Sequence, residues 1–497
     1  MTNQSEKTFF GHPRGLATLF FTEMWERFSY YGMRAILIIF MTTPMAMEGL
    51  GFTVETAGAV YGLYTAGVYL LTLPGGWLAD NIFGQRKAIW YGGLCIMTGH
   101  ILLAIPNVPE TFFMGLVFVA AGTGLLKPNI STIVGDLYPE GGARRDAGFS
   151  VFYMGINLGS VLGQTLVAYF GEKVNWHLGF GLAAVGMFFG LVQYRLTQHT
   201  LGDIGITPKA KEKEELGREH GNTKMAIIMA LALIGLLIAL QFTDIINVFT
   251  TRGIAEAVGI IIVTITVFYF IYILTAGGLN SEEKKKVVII FFLFIGAALF
   301  WSGFEQAGSS LNLFARDYTD RFLFGWELPT GWLQNVNPIM IVIFAPLFGA
   351  MWIKLAARNL NPSTPFKFGI GLILMGIGFL VMYYAAQIVA AGTQAGMLWL
   401  VFTYFFHTVG ELALSPVGLS ATTKLAPRAY MGQMMGIWFI GASVGNLIAG
   451  LFAGGLDPNN VQEIPNLFMT VVFMGVGSGI LFIVFSGLMR KWMGNVN

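Results

Sequence analysis

Fourteen stretches of this chain are apolar over a length that can cross a bilayer, and only short polar breaks separate most of them. About 20 residues suffice for a crossing. The stretches lie near 15–42, 55–79, 87–106, 111–134, 146–170, 177–197, 224–243, 253–275, 287–315, 332–356, 366–389, 395–421, 429–454 and 466–490. Of the 497 residues 55% are hydrophobic and 11% charged, whereas a soluble domain carries about 25% charged residues. The fold class is therefore an all-α polytopic membrane protein, with the lipid bilayer as its standing partner. The net charge of +2 gives no argument for nucleic acid, because the basic residues sit in loops between spans. One cysteine, Cys95, allows neither an internal disulfide nor a cysteine-based metal site and reads as a buried, inert thiol. Residues 1–14 are polar and lack a hydrophobic core, so the first span is expected to direct insertion itself.

Lysine and arginine set the orientation. Arg86 and Lys87, Arg144 and Arg145, Lys284 to Lys286, and Lys424 with Arg428 all fall on one side, together with both polar tails. The loops 43–54 and 390–394 on the other side contain neither residue type. Both termini are thus expected in the cytoplasm, although Lys173, Arg252, Arg316 and Arg321 on the outside weaken the bias. The first and last six spans look like faint repeats. Thr123 to Pro128 is similar to Glu411 to Pro416, Gly155 to Ser160 to Ile440 to Gly445, and Glu26 and Glu305 occupy aromatic settings in the leading span of each half. The expected division is a six-helix bundle over 1–198, a cytoplasmic linker with an inserted helix pair over 199–286, and a second six-helix bundle over 287–497. The linker begins with a polar stretch from His199 to Thr223, and the inserted pair carries almost no intramembrane charge. No transport role is assigned to the pair.

The first span holds Glu23, Glu26, Arg27 and Arg34. Four charges there cost roughly 10–14 kcal/mol on the insertion scale, and each neighbouring Leu, Ile or Phe returns only about 0.3–0.6 kcal/mol. At about 100° per residue, Glu23, Glu26, Arg27, Tyr30 and Arg34 share an arc of roughly 100°. Phe21, Trp25 and Phe28 take the opposite side. Such a helix turns one face to lipid or packed protein and another to a polar, wet interior, which is how a transport pathway is lined.

Several motifs sharpen this reading. Gly76-x3-Asp80-x3-Gly84-x-Arg86-Lys87 resembles the cytoplasmic loop signature of the major facilitator superfamily. Its glycines permit a tight turn, and Asp80 and Arg86 can form state-dependent ion pairs, a conformational latch with no substrate contact. Glu23-Met24-Trp25-Glu26-Arg27-Phe28-Ser29-Tyr30-Tyr31-Gly32 resembles the ExxERFxYYG motif of the proton-dependent oligopeptide transporter (POT) family in full. Phe152 to Ser160 resembles its FYxxINxGS signature, and Gly410 to Leu412 with Ser415 to Ser420 its tenth-span motif. The resemblance runs from the first span to the eleventh and extends to the extra central pair of bacterial members. It implies the superfamily's two six-helix bundles, with substrate bound near the midplane between repeats. A bacterial inner membrane is the implied setting.

The function implied is proton-coupled import of di- and tripeptides by alternating access, by a carrier working as a monomer without a cofactor. A peptide always offers an ammonium, a carboxylate and amides. Arg27, Arg34 and Lys127 can supply charge for the carboxylate, arginine bidentately, and Glu411 with Asn157 and Asn337 can receive the ammonium. The resemblance implies the same roles. It also implies that Tyr30, Tyr31 and Tyr69 hydrogen-bond the peptide backbone and that Trp301 and Trp438 help to form side-chain pockets; packing or interface anchoring is the alternative for the tryptophans. Proton coupling is assigned to Glu23, Glu26, Arg27, Lys127, Glu305 and Arg34. Arg34 with Glu305 and Lys127 with Glu411 are expected pairs across the halves. Burial favours a protonated carboxyl and a nearby cation an ionised one, so Glu23 and Glu26 stand between the two states. His407, one turn before Glu411, reads as an ordinary packed histidine, with proton shuttling as the alternative.

Three other functions compete with this one. A carrier of the same fold for nitrate or another non-peptide metabolite is disfavoured by the presence of both peptide-end sites. A fourteen-span drug–proton antiporter is expected to carry a proline in its fifth span, and 146–170 has none. A nutrient receptor or channel would call for an extramembrane domain or a pore-like repeat. No nucleotide loop, metal-spaced histidine cluster or nucleophile elbow suggests an enzyme.

Overall fold

The computed structural model describes residues 8–140, 142–208, 241, 246–247, 249–358 and 360–494. The span expected near 224–243 lies outside the described residues apart from Gln241, as do Lys209, Lys211, Lys213, Glu214 and Arg218 of the polar stretch. The other thirteen apolar runs are all helical. The first is α1 (Arg14–Thr42), and the second is divided into α2 (Val54–Leu70) and α3 (Thr72–Leu78). The rest of the first set are α4 (Gln85–Leu103), α5 (Pro109–Asp136), α6 (Gly142–Lys173) and α7 (Trp176–Thr197), and α8 (Thr251–Ala276) comes next. The run expected at 287–315 is α9 (Ser281–Phe304) and α10 (Ser310–Asp317), separated by a 3₁₀ turn at Glu305–Gly308. Then come α11 (Val336–Ala357), α12 (Thr364–Ala390), α13 (Leu398–Leu425), α14 (Met431–Ala453) and α15 (Ile464–Met493). Eleven helical segments among the described residues are long and apolar enough to cross a membrane by length and composition.

The charged run Ser281 to Lys286, read from sequence as a break, is the start of α9. Asn280 caps it by accepting from the Glu282 and Glu283 amides at 3.0 and 2.9 Å, and the Glu283 carboxylate accepts from the Asn280 amide in return. Acidic residues belong at the positive end of a helix, so the polarity that looks like a loop is a helix start.

The described residues form two compact units: those within 8–51, 67–208 and 321–343 make one, and those within 52–66, 241–320 and 344–494 the other. The division expected at 198 and 287 differs from this in three places: the first part of α2 goes with the second unit, α8 of the inserted pair joins that unit instead of standing apart, and the segment leading into α11 goes with the first. Packing explains the first two. Ala59 and Ala66 of α2 share a small core with Ala255 of α8 and Leu447 of α14, and Ser443 donates to the Ala66 carbonyl at 3.0 Å.

Within the first unit, α1 lies along α6 at backbone contact. A methyl group at Gly159 would stand 2.1 Å from the Met24 carbonyl oxygen, and one at Gly163 2.2 Å from that of Phe28. Small residues of this kind let membrane helices approach closely. On the other flank Leu16 and Leu19 of α1 join Ile89, Ile96, Leu126, Met187 and Leu191 in one core cluster. These contacts fix the rotation of α1 and thereby turn its charged arc into the protein.

Two short pairs of strands accompany the helices. β1 (Thr319–Asp320) pairs in parallel with β4 (Ala395–Gly396) in the second unit, and β2 (Phe322–Leu323) pairs antiparallel with β3 (Trp326–Glu327) in the first. Phe324 and Gly325 turn the hairpin with φ of 52° and 81°, the conformation of a type I′ turn. A bulky residue held there costs on the order of 1–3 kcal/mol.

Candidate functional site

Three turns of α1 assemble the charged core of the first unit. Glu23 and Arg27 are four residues apart and therefore stacked on one face, with Glu26 beside them. Arg27 Nε lies 2.8 Å from Glu23 Oε1 and 2.6 Å from Glu26 Oε2. All three side chains are buried, with relative exposures of 3, 0 and 3% for Glu23, Glu26 and Arg27. The arc read as facing a wet interior is thus a buried, ion-paired cluster in this structure. Its capacity is only partly used: Arg27 Nη2 and Glu23 Oε2 are buried and have no hydrogen-bond partner among the described residues.

Aromatic rings carry the cluster along the helix. The Arg27 guanidinium carbon is 5.5 Å from the Tyr30 ring centre and 5.9 Å from that of Tyr31, and the Arg34 guanidinium carbon is 5.6 Å from the same Tyr31 ring centre. Lys127, on α5 one residue before Pro128, places its ammonium 4.1 Å from the centre of the Tyr69 ring. Cation–π contact is worth about 0.5–2 kcal/mol, most where water is excluded. It holds a cation by its charge and consumes none of its hydrogen bonds. Asn157 on α6 is buried and donates to the Tyr153 carbonyl at 2.9 Å. Asn337 stands in the first turn of α11, in the part of the chain that belongs to this unit. The structure therefore gathers Glu23, Glu26, Arg27, Tyr30, Tyr31, Arg34, Tyr69, Lys127, Asn157 and Asn337 in the first unit.

The remaining candidates belong to the second unit. Glu305 is buried and opens the 3₁₀ turn that interrupts the run from α9 to α10. Trp301, one turn earlier on α9, packs edge-on to Phe300 and Phe304, and its buried indole nitrogen has no hydrogen-bond partner among the described residues. Glu411 is buried on α13, five residues before Pro416. Trp438 of α14 packs against Gly418, where a methyl group would meet its ring at 2.1 Å, and against the Phe368 ring. His407 is fully buried between the Phe304 and Phe379 rings. In both expected pairings, Arg34 with Glu305 and Lys127 with Glu411, the first residue belongs to the first unit and the second to the other.

The loop motif after α3 is more concrete than sequence allows. Ala79–Phe83 forms a π-helical turn that ends at Gly84, where a φ of 78° and an added methyl group standing 2.4 Å from the Ile206 carbonyl oxygen exclude a side chain. Arg86 donates to the carbonyls of Gly202, at 2.9 Å, and Gln198 in the turn after α7, where a cation meets the negative end of a helix. The latch expected of Asp80 and Arg86 is therefore, on the Arg86 side, a tie between the start of α4 and the end of α7.

Sequence reasoning missed Glu172. Its carboxylate accepts from the amides of Thr330 and Gly331 at 2.7 and 2.9 Å, tying the segment before α11 to the end of α6. The signal was present: a carboxylate in the last turn of a helix opposes the macrodipole and so asks for an outside partner.

Comparison with known proteins places this geometry. The family model described as "POT family" matches residues 86–465. The chain is 43% identical to the uncharacterized transporter YclF of Bacillus subtilis (strain 168), over 99% of this chain and 97% of that one. It is 40% identical to the peptide transporter YePEPT of Yersinia enterocolitica subsp. palearctica serotype O:3 (strain YE-P4), over 98% and 97%. Among solved structures, a mutant peptide transporter POT in complex with alafosfalin superposes with a TM-score of 0.87 at 41% identity, covering 99% of this chain and 98% of that one. With the family model spanning most of its length, full-length relatives and a shared helical architecture, this multi-pass membrane protein belongs to the POT family.

Proposed function

We propose that the protein is a proton-coupled symporter that imports di- and tripeptides by alternating access. The observation that carries the reading is the buried Glu23–Arg27–Glu26 cluster: one guanidinium shared by two carboxylates, with Arg27 Nη2 unused. Protonation of Glu23 or Glu26 releases half of that clamp and frees Arg27, with Lys127, to take the peptide carboxylate. Glu411, with Asn157 and Asn337, receives the ammonium. Protonation of Glu305 in turn releases Arg34. Loss of the proton on the cytoplasmic side resets the carrier. Membrane potential adds about 2.3 kcal/mol per charge for each 100 mV. The setting is a bacterial inner membrane with both termini cytoplasmic, and the carrier works as a monomer driven by the proton gradient, with no cofactor and no chemistry performed on the peptide. The names and bound compound of the similar transporters support the substrate class.

The test is uptake of labelled dialanine into liposomes with an imposed inward proton gradient and a negative interior. Accumulation that collapses with a protonophore and is competed by diverse di- and tripeptides is expected. Glu23→Gln or Glu26→Gln should abolish accumulation while sparing counterflow exchange. Accumulation surviving in both variants overturns the coupling assignment, and no uptake by folded protein redirects the search to non-peptide substrates.

A further inference from the structure

The hairpin Phe322–Glu327 presents apolar side chains outward. Phe324 is fully exposed, Phe322 is 62% exposed, and Leu323 and Trp326 stand about half out of the fold. The tip residue is also held at positive φ, a conformation that asparagine or glycine adopts far more readily than phenylalanine. The base of the hairpin is firmly braced. Glu327 accepts from Lys173 at 2.7 Å and from Arg321 at 2.6 Å, and the Leu328 amide donates to the Arg321 carbonyl at 3.0 Å. These charged groups meet one another at the base, and the projecting tip carries only apolar surface.

An aromatic ladder leads from the hairpin to a bilayer-crossing helix. The Trp326 ring lies 5.3 Å from Trp332, and Trp332 lies 6.5 Å from Tyr169, which is partly exposed one turn before α6 ends at Lys173. Trp332 is fixed by its indole donating to the Thr165 carbonyl at 2.9 Å. Tryptophan and tyrosine near the ends of spanning helices sit at headgroup depth, and the ladder continues that belt sideways into the hairpin. We propose that the Phe322–Glu327 hairpin is an interfacial anchor whose partner is the phospholipid bilayer, with Phe324 inserted past the headgroups at the end of the first unit where α6 terminates.

The experiment is depth measurement by spin labelling. Cys95→Ser removes the native thiol, and single cysteines are introduced by Phe324→Cys and, as an aqueous control, Asn459→Cys in the exposed polar turn before α15. The full-length protein is placed in phosphatidylcholine–phosphatidylglycerol nanodiscs. Collision of each label with oxygen, which concentrates in lipid, is compared with collision with a water-soluble nickel chelate. The ratio at 324 should exceed that at 459 several-fold. Phe324→Asn, which gives the turn its preferred residue and so preserves the hairpin, should lower the ratio at a label placed by Phe322→Cys. Equal ratios at 324 and 459 overturn the proposal. So does dipolar broadening between labels at 324 that disappears on dilution with unlabelled protein, since the occupant is then a second copy.

Discussion

Replacing Arg27 by methionine should be far more damaging to stability than replacing either carboxylate that it binds. The structure sets the asymmetry. Arg27 Nε is 2.8 Å from Glu23 and 2.6 Å from Glu26, and at an effective dielectric of about 20 each contact represents roughly 6 kcal/mol of direct attraction. Desolvation of three buried charges offsets most of that sum, so the intact cluster contributes little net stability. Breaking it is another matter. Without Arg27, two buried carboxylates face each other with the weaker field of Lys127 as their counter-charge, and loss of one partner of a buried pair costs about 3–5 kcal/mol. Glu26→Gln leaves Arg27 paired with Glu23 and relieves one like-charge contact, so a change within about 1 kcal/mol is expected. The triple variant Glu23→Gln, Glu26→Gln, Arg27→Met removes all three charges at once and should recover part of the loss of the single Arg27→Met. Denaturant unfolding in detergent micelles at neutral pH, followed by tryptophan fluorescence, ranks the parent and the three variants. If Arg27→Met proves no less stable than Glu26→Gln, or the triple variant is the least stable of all, the shared-clamp reasoning is refuted.

Two more outcomes rest on the packing and on the hairpin. Gly163→Ala places a methyl group 2.2 Å from the Phe28 carbonyl oxygen, forces α1 and α6 apart and should cost about 1–3 kcal/mol, whereas Gly487→Ala on α15 meets open space and should be neutral or stabilising by up to about 1 kcal/mol; thermal unfolding of the two variants checks the contrast. At the hairpin base, the hydrogen bond from Lys173, then the charges of Arg321 and Lys173, hold the Glu327 carboxyl below the usual carboxylate range. A lowered folded-state value means that its stabilisation is complete above about pH 4.3, the ordinary glutamate value, and is lost as pH falls through the lower folded value. The carboxylate is 38% exposed, so the contribution is that of a surface pair, about 0–1 kcal/mol. The difference in unfolding temperature between Glu327→Gln and the parent should therefore be present at neutral pH and shrink below about pH 4; a difference that grows with acidification contradicts the brace.

The helical framework was legible because apolar length is a crude, robust signal, and thirteen runs needed nothing finer. What the signal could not show is where a run stops being one rod. Glu305 sits inside an apolar stretch, and the 3₁₀ turn it opens depends on tertiary neighbours that periodicity does not encode. The same limit applies to α2, whose two ends belong to different units although no polar break divides it. The charged arc of α1 was legible for the opposite reason: four charges in an apolar helix are too costly to be neutral, so their positions alone named the site. Their company was not. Sequence placed Glu23, Glu26 and Arg27 on a face, but only packing against the glycines of α6 decides that the face closes into an ion-paired cluster instead of lying open.

Glu172 and Phe324 show how much can be recovered from residues that break a local rule. A carboxylate at the wrong end of a helix and a phenylalanine in a turn made for asparagine each carry an unfavourable local term. A fold that keeps such a residue must return the energy elsewhere. For Glu172 the return is visible as two backbone amides at the start of the segment before α11. For Phe324 no protein group among the described residues supplies it, since the ring is fully exposed, and in a chain built to stand in a bilayer the proposed source of apolar contact is lipid. The same reasoning joins Glu172 to function. Glu172 and the Lys173–Glu327 pair anchor the lead-in to α11 on α6, the helix that also carries Asn157 and the glycines against α1. A segment tethered in this way is held on the first unit, so the position of Asn337 is set by the helices that hold the charged cluster.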